Sequence, residues 1–593
     1  MERRAFFLIM VLAGQILAQR QQWYVETLEF AGNESISRQV LLSRMQLQPP
    51  DFFIRYRYTF SVLTDDIYRL ERFYASRGYL NARVRIAQVV RDSSVQGVYI
   101  RLRIHEGVQT IVDSVAFTSN EIFSDSALLR FTLLKRNEPL DSLLYARSGG
   151  VIEDSLASRG HLLAEVEERI RFTDQRDTAR VVYTIREGPL VLIGNVGIEG
   201  AGVVREEVVQ RELMLENGSV LTSGRIARSV GRLYSTGLFD FVRIEPVDTA
   251  SVPSELDTVV VPVRVQVQTA DFFSLTTGGG YSSEDGLYAT AEVSYDNLFG
   301  LGHRASASGR LSYDLVSAQL IYSYPWFLRM PLFADYLLYI ERRDEAEFSG
   351  LFRGGLFSLS GRFNPLTRYR VWFRVENTVW IEGDTSVAEF PERLRGNSAL
   401  VGVGVTRDTR DNVVSPGNGF FGIVEAELAG PGIPWSDKFV RTRADARGYY
   451  SPFDDRLTLL SSIFAGYVRE YGGGGAGVPS RELFRVGDGV RLVRGYPNEA
   501  VMDGGRGGRL ALVFTPLEVM FLIYEPLSGA LFVDGGFIWS ALESFDTRDV
   551  RWSVGAGFRL GLPIGLVRFD YGVRLDGDLD LGGRFHLGVG TAF

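Results

Sequence analysis

The chain has 593 residues, carries a formal net charge of −8 at pH 7 and contains no cysteine. Its length is sufficient for several domains. The lack of cysteine excludes disulfide bridges, thiolate nucleophiles and cysteine-ligated metal centres. The lack of a basic stripe excludes the electrostatic surface that nucleic-acid binding requires, so we expect no nucleic-acid partner.

The first residues have the pattern of a secretory signal peptide. Arg3 and Arg4 form a basic start, an apolar run extends from Ala5 to Leu17, and the small residue Ala18 follows. The pattern predicts a signal peptide over residues 1–18 with cleavage after Ala18; a buried N-terminal helix is the alternative. No later segment has the roughly 18 consecutive apolar residues of a membrane helix, so an exported protein of this sequence would span a membrane with strands.

Three stretches of similar design follow at similar intervals. The sequences RFYASRGYL, DSLASRGHL and RLYSTGLFD each indicate an amphipathic helix, a glycine stop at Gly78, Gly160 or Gly237, and then a strand. In the third copy we expect Ser223 to cap the start of the helix. Three unrelated helix–strand segments are the alternative. The repeat predicts three tandem α+β modules over residues 23–107, 108–189 and 190–268.

Beyond about residue 269, alternation of apolar and polar residues replaces the helical periodicity. The pattern is clear in LYATAEVSYD, which begins at Leu287, and in LVRFDYGVRL, where Arg568 and Asp570 share one face. Charges at this density would be unfavourable in a dry core but suit a water-filled lumen. Residues 269–593 are therefore predicted to form a transmembrane antiparallel β-barrel of about 16 strands. A soluble β-sandwich or propeller is the alternative.

The last ten residues, RFHLGVGTAF, predict the closing strand of this barrel. Alternation places Phe585 and Phe593 outward and Gly588 and Gly590 inward, and the pattern resembles the C-terminal β-signal of bacterial outer-membrane proteins. Glycine weakens a strand because it has no side chain to pack. We therefore expect a loosely paired seam between this strand and the first barrel strand, which we place near residues 275–283.

The signal peptide, the modules similar to POTRA domains, and a barrel with the sequences LVRGYP and FVDGG together resemble the BamA/TamA family of outer-membrane insertases. The resemblance covers the whole mature chain. It implies that the loop with the Val-Arg-Gly-Tyr sequence folds back into the lumen, where its arginine bonds to an acid on the inner wall. The matching residues are Arg494, Gly495 and Tyr496, with Asp534 as the acid, and together they would form a luminal latch. An exposed, solvated turn is the alternative.

The resemblance also implies a function. It predicts an assembly factor in the bacterial outer membrane, with its modules in the periplasm, that captures unfolded β-barrel clients and inserts them among outer-membrane lipids without a cofactor. Periplasmic or lipoprotein assembly partners are also expected. BamA proteins typically carry five modules, three modules resemble TamA, and two suit two-partner secretion pores, so a general and a narrower role both remain open. The alternative function is a polypeptide-translocating pore dedicated to one or few exported proteins.

Enzyme signatures are not found in the sequence. The four histidines, His105, His161, His303 and His586, have no metal-ligand spacing. The glycine-rich sequence YGGGGAG is not followed by the lysine and hydroxyl residue of a phosphate-binding loop. We therefore expect no catalytic, metal-binding or cofactor-binding residues.

Overall fold

A computed structural model describes most of the chain. The predicted signal peptide and Phe593 lie outside the described residues. Within the described part, no helix combines the length and the apolar character needed to cross a membrane. The described residues are 22–50, 55–248, 256–282, 286–344, 348–383, 396–413, 415–472, 477–486, 492–505, 507–524, 526–562, 565–575 and 582–590.

The first module packs helices on a three-stranded sheet. Its elements are β1 (Tyr24–Ala31), α1 (Arg38–Leu42), α2 (Phe60–Ser76), β2 (Arg83–Asp92) and β3 (Gly97–His105). The last strand, β3, lies in the centre, parallel to β1 and antiparallel to β2. Val98, Ile100, Leu102 and Ile104 of β3 are buried at every second position and form part of the module core, as the two-residue period of a strand requires.

The second and third modules repeat this arrangement. In each, the strand that comes last in the sequence again lies in the centre, in the orders β4-β6-β5 and β7-β9-β8. The predicted tandem of α+β modules is thereby confirmed. The elements are β4 (Ile111–Thr118), α3 (Asp125–Phe131), α4 (Ser142–Ala157), β5 (Glu165–Phe172), β6 (Thr178–Arg186), β7 (Leu190–Glu199), α5 (Glu206–Gln210), α6 (Ser223–Ser235), β8 (Phe239–Pro246) and β9 (Thr258–Thr269).

The long helix of each module stops at the predicted glycine. Gly78, Gly160 and Gly237 have φ angles of 86°, 104° and 72°, in the left-handed region that glycine enters without a steric penalty. The prediction for the start of α6 was wrong by one residue. The hydroxyl of Thr222 accepts the N–H of Arg225 at 3.2 Å, because a capping side chain stands before the first helical residue.

The second half of the described chain is a closed antiparallel barrel of sixteen strands, which confirms the predicted fold class. A short strand, β20 (Pro452–Asp455), lies outside the closed order. The barrel strands are β10 (Phe273–Ser282), β11 (Gly286–Leu298), β12 (His303–Leu311), β13 (Leu315–Tyr324), β14 (Phe333–Asp344), β15 (Phe348–Asn364), β16 (Thr367–Gly383), β17 (Gly396–Asp408), β18 (Gly419–Ala429), β19 (Phe439–Tyr450), β21 (Leu457–Glu470), β22 (Leu510–Tyr524), β23 (Leu527–Trp539), β24 (Arg551–Leu562), β25 (Gly565–Arg574) and β26 (Gly583–Gly590).

The barrel strands separate an apolar outer face from a charged lumen. Leu287 and Val293 of β11 are exposed on the outside, whereas Ser294 is buried. In β25 the ring of Phe569 is 49% exposed and the next residue, Asp570, is 4% exposed. The alternation predicted from the sequence therefore places apolar side chains where lipid would contact the barrel and charged side chains inside it.

The first and last strands of the barrel, β10 and β26, meet at a seam. Within the described residues, β10 and β26 pair at two positions, Tyr281 with Val589 and Ser282 with Gly588. By contrast, β26 pairs with β25 along its whole described length. Residues 283–285 and 591–593, which continue the two strands beyond these pairs, lie outside the described residues. Among the described residues the barrel is thus closed in strand order, with two pairs at this seam.

Candidate functional site: the luminal loop and the seam

The described residues of the loop between β21 and β22, which are 471–472, 477–486, 492–505 and 507–509, are called the luminal loop below and pack against the barrel wall. Its apolar side chains belong to one buried cluster with side chains of the barrel wall. Burying such surface stabilises the loop in this position by roughly 25 cal/mol per Å² removed from water. The cluster includes Val478, Phe484, Val486, Val493, Tyr496 and Val501 from the loop and Trp372, Leu400, Phe464, Val468, Val513 and Ile538 from the wall.

The structure places Arg494 of the luminal loop directly against Asp534 of β23. The guanidinium donates from Nε to Oδ2 at 2.7 Å and from Nη2 to Oδ1 at 2.8 Å, and the backbone N–H of Arg494 donates to Oδ2 at 3.2 Å. Both residues are buried. The two parallel contacts form a bidentate, charge-assisted pair, which is the strongest class of side-chain hydrogen bond in proteins.

Further residues of the wall surround Arg494 that the sequence analysis did not assign to the site. Glu518 of β22 accepts from Nη2 at 2.9 Å, and Asp570 of β25 lies 3.6 Å from Nη1. The guanidinium carbon also lies 3.4 Å from the centre of the Phe532 ring, a cation–π arrangement. In the sequence LEVMF, Glu518 is an acid among apolar residues of a strand. This pattern could have identified Glu518 as a residue that faces the lumen.

The cluster around Arg494 includes a second arginine. Arg559 of β24 donates to Glu518 at 3.1 Å and to Asp570 at 2.5 Å. Burial by itself would lower the pKa of Arg494, but the carboxylates of Asp534, Glu518 and Asp570 outweigh this effect and raise it. Arg494 therefore remains charged, and its carboxylate partners need this charge because a buried unpaired ion is costly.

Gly495 brings the loop backbone against the last two strands. Its N–H donates to Nε2 of His586 in β26 at 3.3 Å, and its carbonyl accepts from Nε of Arg574 in β25 at 3.0 Å. Its φ angle is 103°, and a Cβ atom at this position would lie 2.9 Å from the carbonyl carbon of Gly572. Glycine is required at position 495 by both conformation and space.

Tyr496 attaches the same turn to β24, the strand that precedes β25 and β26. Its hydroxyl donates to the carbonyl of Trp552 in β24 at 3.1 Å, and its ring lies under the guanidinium of Arg574, 5.3 Å from the ring centre. The tip of the luminal loop, which we define as Arg494, Gly495 and Tyr496, thus contacts every strand from β22 to β26. Gly495 makes the contact with the closing strand, β26.

We expect Gly495→Ala to displace the tip of the loop from β25. The methyl group would meet the backbone of Gly572, and an alanine in a left-handed conformation costs roughly 1 kcal/mol more. The measurement is the rate at which a protease cuts the loop in the folded protein, which should rise. Gly504→Ala is the matched control, since Gly504 has a positive φ in the same loop but open space around it. Equal rates in the two variants would contradict the close contact.

The predicted seam residues lie on β26, apart from Phe593. Phe585 points outward, is 75% exposed, and its ring centre lies 4.4 Å from that of Tyr571. Gly588 pairs with Ser282 across the seam, and Gly590 pairs with Leu566 of β25. The structure therefore brings the seam and the tip of the luminal loop together through one strand.

The comparisons with known proteins agree with this architecture. The Omp85 superfamily domain matches residues 297–593. POTRA, described as a surface antigen variable number repeat, matches residues 23–107, 110–188 and 191–268. The first match covers half of the chain, and the chain belongs to the Omp85 superfamily.

Its relatives include proteins named outer membrane protein assembly factor BamA. The one from Nitratidesulfovibrio vulgaris is 26% identical over 96% of this chain and 73% of the relative, and the one from Neisseria meningitidis is 23% identical over 96% and 78%. The crystal structure of BamA from Haemophilus ducreyi lacking POTRA domains 1–3 has a TM-score of 0.66 at 17% identity, and the match covers 82% of this chain and 99% of that one. This likeness shows the shared fold.

Proposed function

We propose that this chain is an outer-membrane protein assembly factor that receives unfolded β-barrel proteins in the periplasm and inserts them into the outer membrane. The barrel lies in the outer membrane and the three modules lie in the periplasm. The observation that carries the proposal is the seam between the first and last strands, where the described residues of β10 and β26 pair at two positions. The named relatives support the same function.

Capture begins at the edges of the module sheets. In each module the central strand is fully flanked, while β1 and β2, and their counterparts in the other modules, form the sheet edges. An edge strand offers unpaired backbone groups to an extended peptide. Such pairing depends on the client's backbone, so it accepts strands of many sequences, as an assembly factor with several clients requires.

Insertion uses the seam. The described residues of β10 and β26 are joined at two positions, and client strands enter where these two strands separate. In lipid, however, every exposed backbone group must find a partner. A client strand that pairs with the opened edge of β10 satisfies these groups, and burial of the client's apolar face in lipid drives the process. The cycle is noncovalent and uses no cofactor.

The luminal loop supports the closing strand during this process. The Arg494 cluster attaches the loop to β22, β23 and β25, and Gly495 contacts His586 on β26. We propose that this luminal latch keeps β26 in place when β10 is engaged by a client. Unfolded outer-membrane proteins, outer-membrane lipids, and periplasmic or lipoprotein assembly partners are the proposed partners.

Depletion of the protein followed by quantification of the outer-membrane proteome tests this function. We expect a broad loss of β-barrel proteins, because each needs insertion, and we expect expression of the intact chain during depletion to restore them. Loss of one or a few exported proteins, with other barrels unchanged, would instead support a dedicated polypeptide-translocating pore. An unchanged proteome would contradict both functions.

A further inference from the structure

The first half of the luminal loop is buried as deeply as the half that carries Arg494. Ser480, Arg481 and Glu482 form a short 3-10 turn, and all three are buried. Two residues later, Phe484 exchanges backbone hydrogen bonds with Gly508 at 2.9 and 3.0 Å. Gly508 belongs to the same loop, so these bonds join two parts of it, whereas the ring of Phe484 packs against Phe464 of the wall with ring centres 6.1 Å apart.

Glu482 is the charged centre of this attachment. Its carboxylate accepts from Arg374 of β16 at 3.3 and 3.4 Å and from Arg441 of β19 at 2.9 Å. The hydroxyl of Ser398 in β17 also lies 3.4 Å from it. One carboxylate of the loop thus links β16, β17 and β19 of the wall. Its removal would leave two partly buried arginines, Arg374 and Arg441, without the partner that they share.

Arg481 adds contacts on the other side of the same turn. It forms an ion pair with Asp437, which follows β18, and donates to Ser398 at 3.1 Å. Burial alone would raise the pKa of Glu482, but Arg374, Arg441 and Arg481 outweigh burial and lower it to about 2. The attachment is therefore charged throughout the physiological range of pH.

The two attachments lie on different parts of the wall. Glu482 and Arg481 contact β16, β17, β19 and the loop before β19, whereas Arg494, Gly495 and Tyr496 contact β22 to β26. Arg494 lies twelve positions after Glu482 in the sequence. The loop consequently connects the middle of the barrel to the closing strand, which is itself held to β10 at two described positions.

We propose that Glu482 is a positioning residue that fixes the first half of the luminal loop to β16 and β19, so that Gly495 stays against β26 and the seam stays in register. Glu482 acts through the loop and touches neither the seam nor a client. The consequence for client assembly rests on the proposed function, whereas the consequence for the seam does not.

The test measures disulfide formation across the seam in the purified, folded protein. The chain has no cysteine, so Ser282→Cys with Gly588→Cys, a register pair, gives a single reporter. Adding Glu482→Gln should slow formation of this disulfide roughly tenfold, which corresponds to the loss of one charged hydrogen bond. Glu482→Asp, which keeps the charge, should restore part of the rate. Glu499→Gln is the control, because it removes the same charge from an exposed position in the same loop.

The proposal would be overturned if the disulfide across the seam formed at the same rate with Glu482→Gln as with Glu499→Gln. It would also be overturned if Glu482→Gln slowed the disulfide and Glu482→Asp slowed it equally. If Glu482→Gln does not accumulate as a folded barrel, Arg374→Gln replaces it. That variant leaves Glu482 bonded to Arg441, and it must also slow the disulfide. Slow crosslinking together with an unchanged outer-membrane proteome upon depletion would retain the positioning role and reject the assembly function. A normal crosslinking rate together with a broad loss of β-barrel proteins upon depletion would reject the positioning role and retain the assembly function.

Discussion

Arg494→Ala is expected to release the tip of the luminal loop and to impair assembly of outer-membrane proteins while leaving the barrel able to form. The substitution removes the bidentate partner of Asp534 and one of the two arginines that contact Glu518 and Asp570. Breaking a buried pair costs roughly 3 to 5 kcal/mol, and breaking an exposed pair about 0 to 1 kcal/mol. Because the lumen of the barrel holds water, the free-energy cost of Arg494→Ala should lie between these limits. The measurements are the protease sensitivity of the loop and the abundance of client barrels.

Asp534→Ala should have the same effect to a smaller degree, because Arg494 would keep Glu518 as a partner. The double variant should be scarcely worse than Arg494→Ala, as expected of residues that act through one contact. Arg548→Ala is the matched control, since that side chain is 91% exposed. Strictly additive effects, or a loop as well protected in Arg494→Ala as in Arg548→Ala, would reject the luminal latch.

Locking the seam is expected to abolish assembly. A disulfide between Ser282→Cys and Gly588→Cys would join β10 to β26 covalently at one of their two described pairs. If client strands enter between these strands, the oxidised protein should fail to insert clients and should recover when a reductant is added. The measurement is the insertion of a newly synthesised barrel protein by vesicles that contain the variant.

The control for this experiment is a disulfide between strands that remain paired. Ser308→Cys and Gln319→Cys occupy opposed positions of β12 and β13, where no opening is proposed, so this variant should remain active under oxidation. Full activity of the oxidised seam variant would show that clients do not pass between β10 and β26. Equal inactivation of both variants would indicate a general effect of oxidation.

The repeated modules and the barrel could be predicted because their signals are local. A glycine that ends a helix at Gly78, Gly160 or Gly237 needs a positive φ whatever surrounds it. The alternation in LVRFDYGVRL likewise depends on a two-residue period that any strand imposes. The precise cap of α6 was missed because Thr222 and Ser223 both carry the hydroxyl that a capping residue uses.

The partners inside the lumen could be predicted in part. The pairing of Arg494 with Asp534 followed from resemblance, since residues 40 positions apart carry no local sign that they meet. Glu518, Asp570 and the Glu482 attachment depend on how the strands stagger around the barrel, and this stagger is set by the closed sheet as a whole. A sequence read one strand at a time contains the alternation but not the stagger.

The position of the central strand has a consequence for the order in which this chain can fold. In each module the middle of the sheet is supplied by the last strand, β3, β6 or β9, so a chain that emerges N-terminus first cannot complete a module until all of it has emerged. Each module then becomes a separate folding step, in which pairs such as Tyr24 with Gly97 close loops of about seventy residues. Joining β10 to β26 instead closes a loop of about three hundred residues, with the higher entropic cost and slower search that such distance brings. Folding of this protein should therefore proceed in discrete stages, with barrel closure last and rate-limiting.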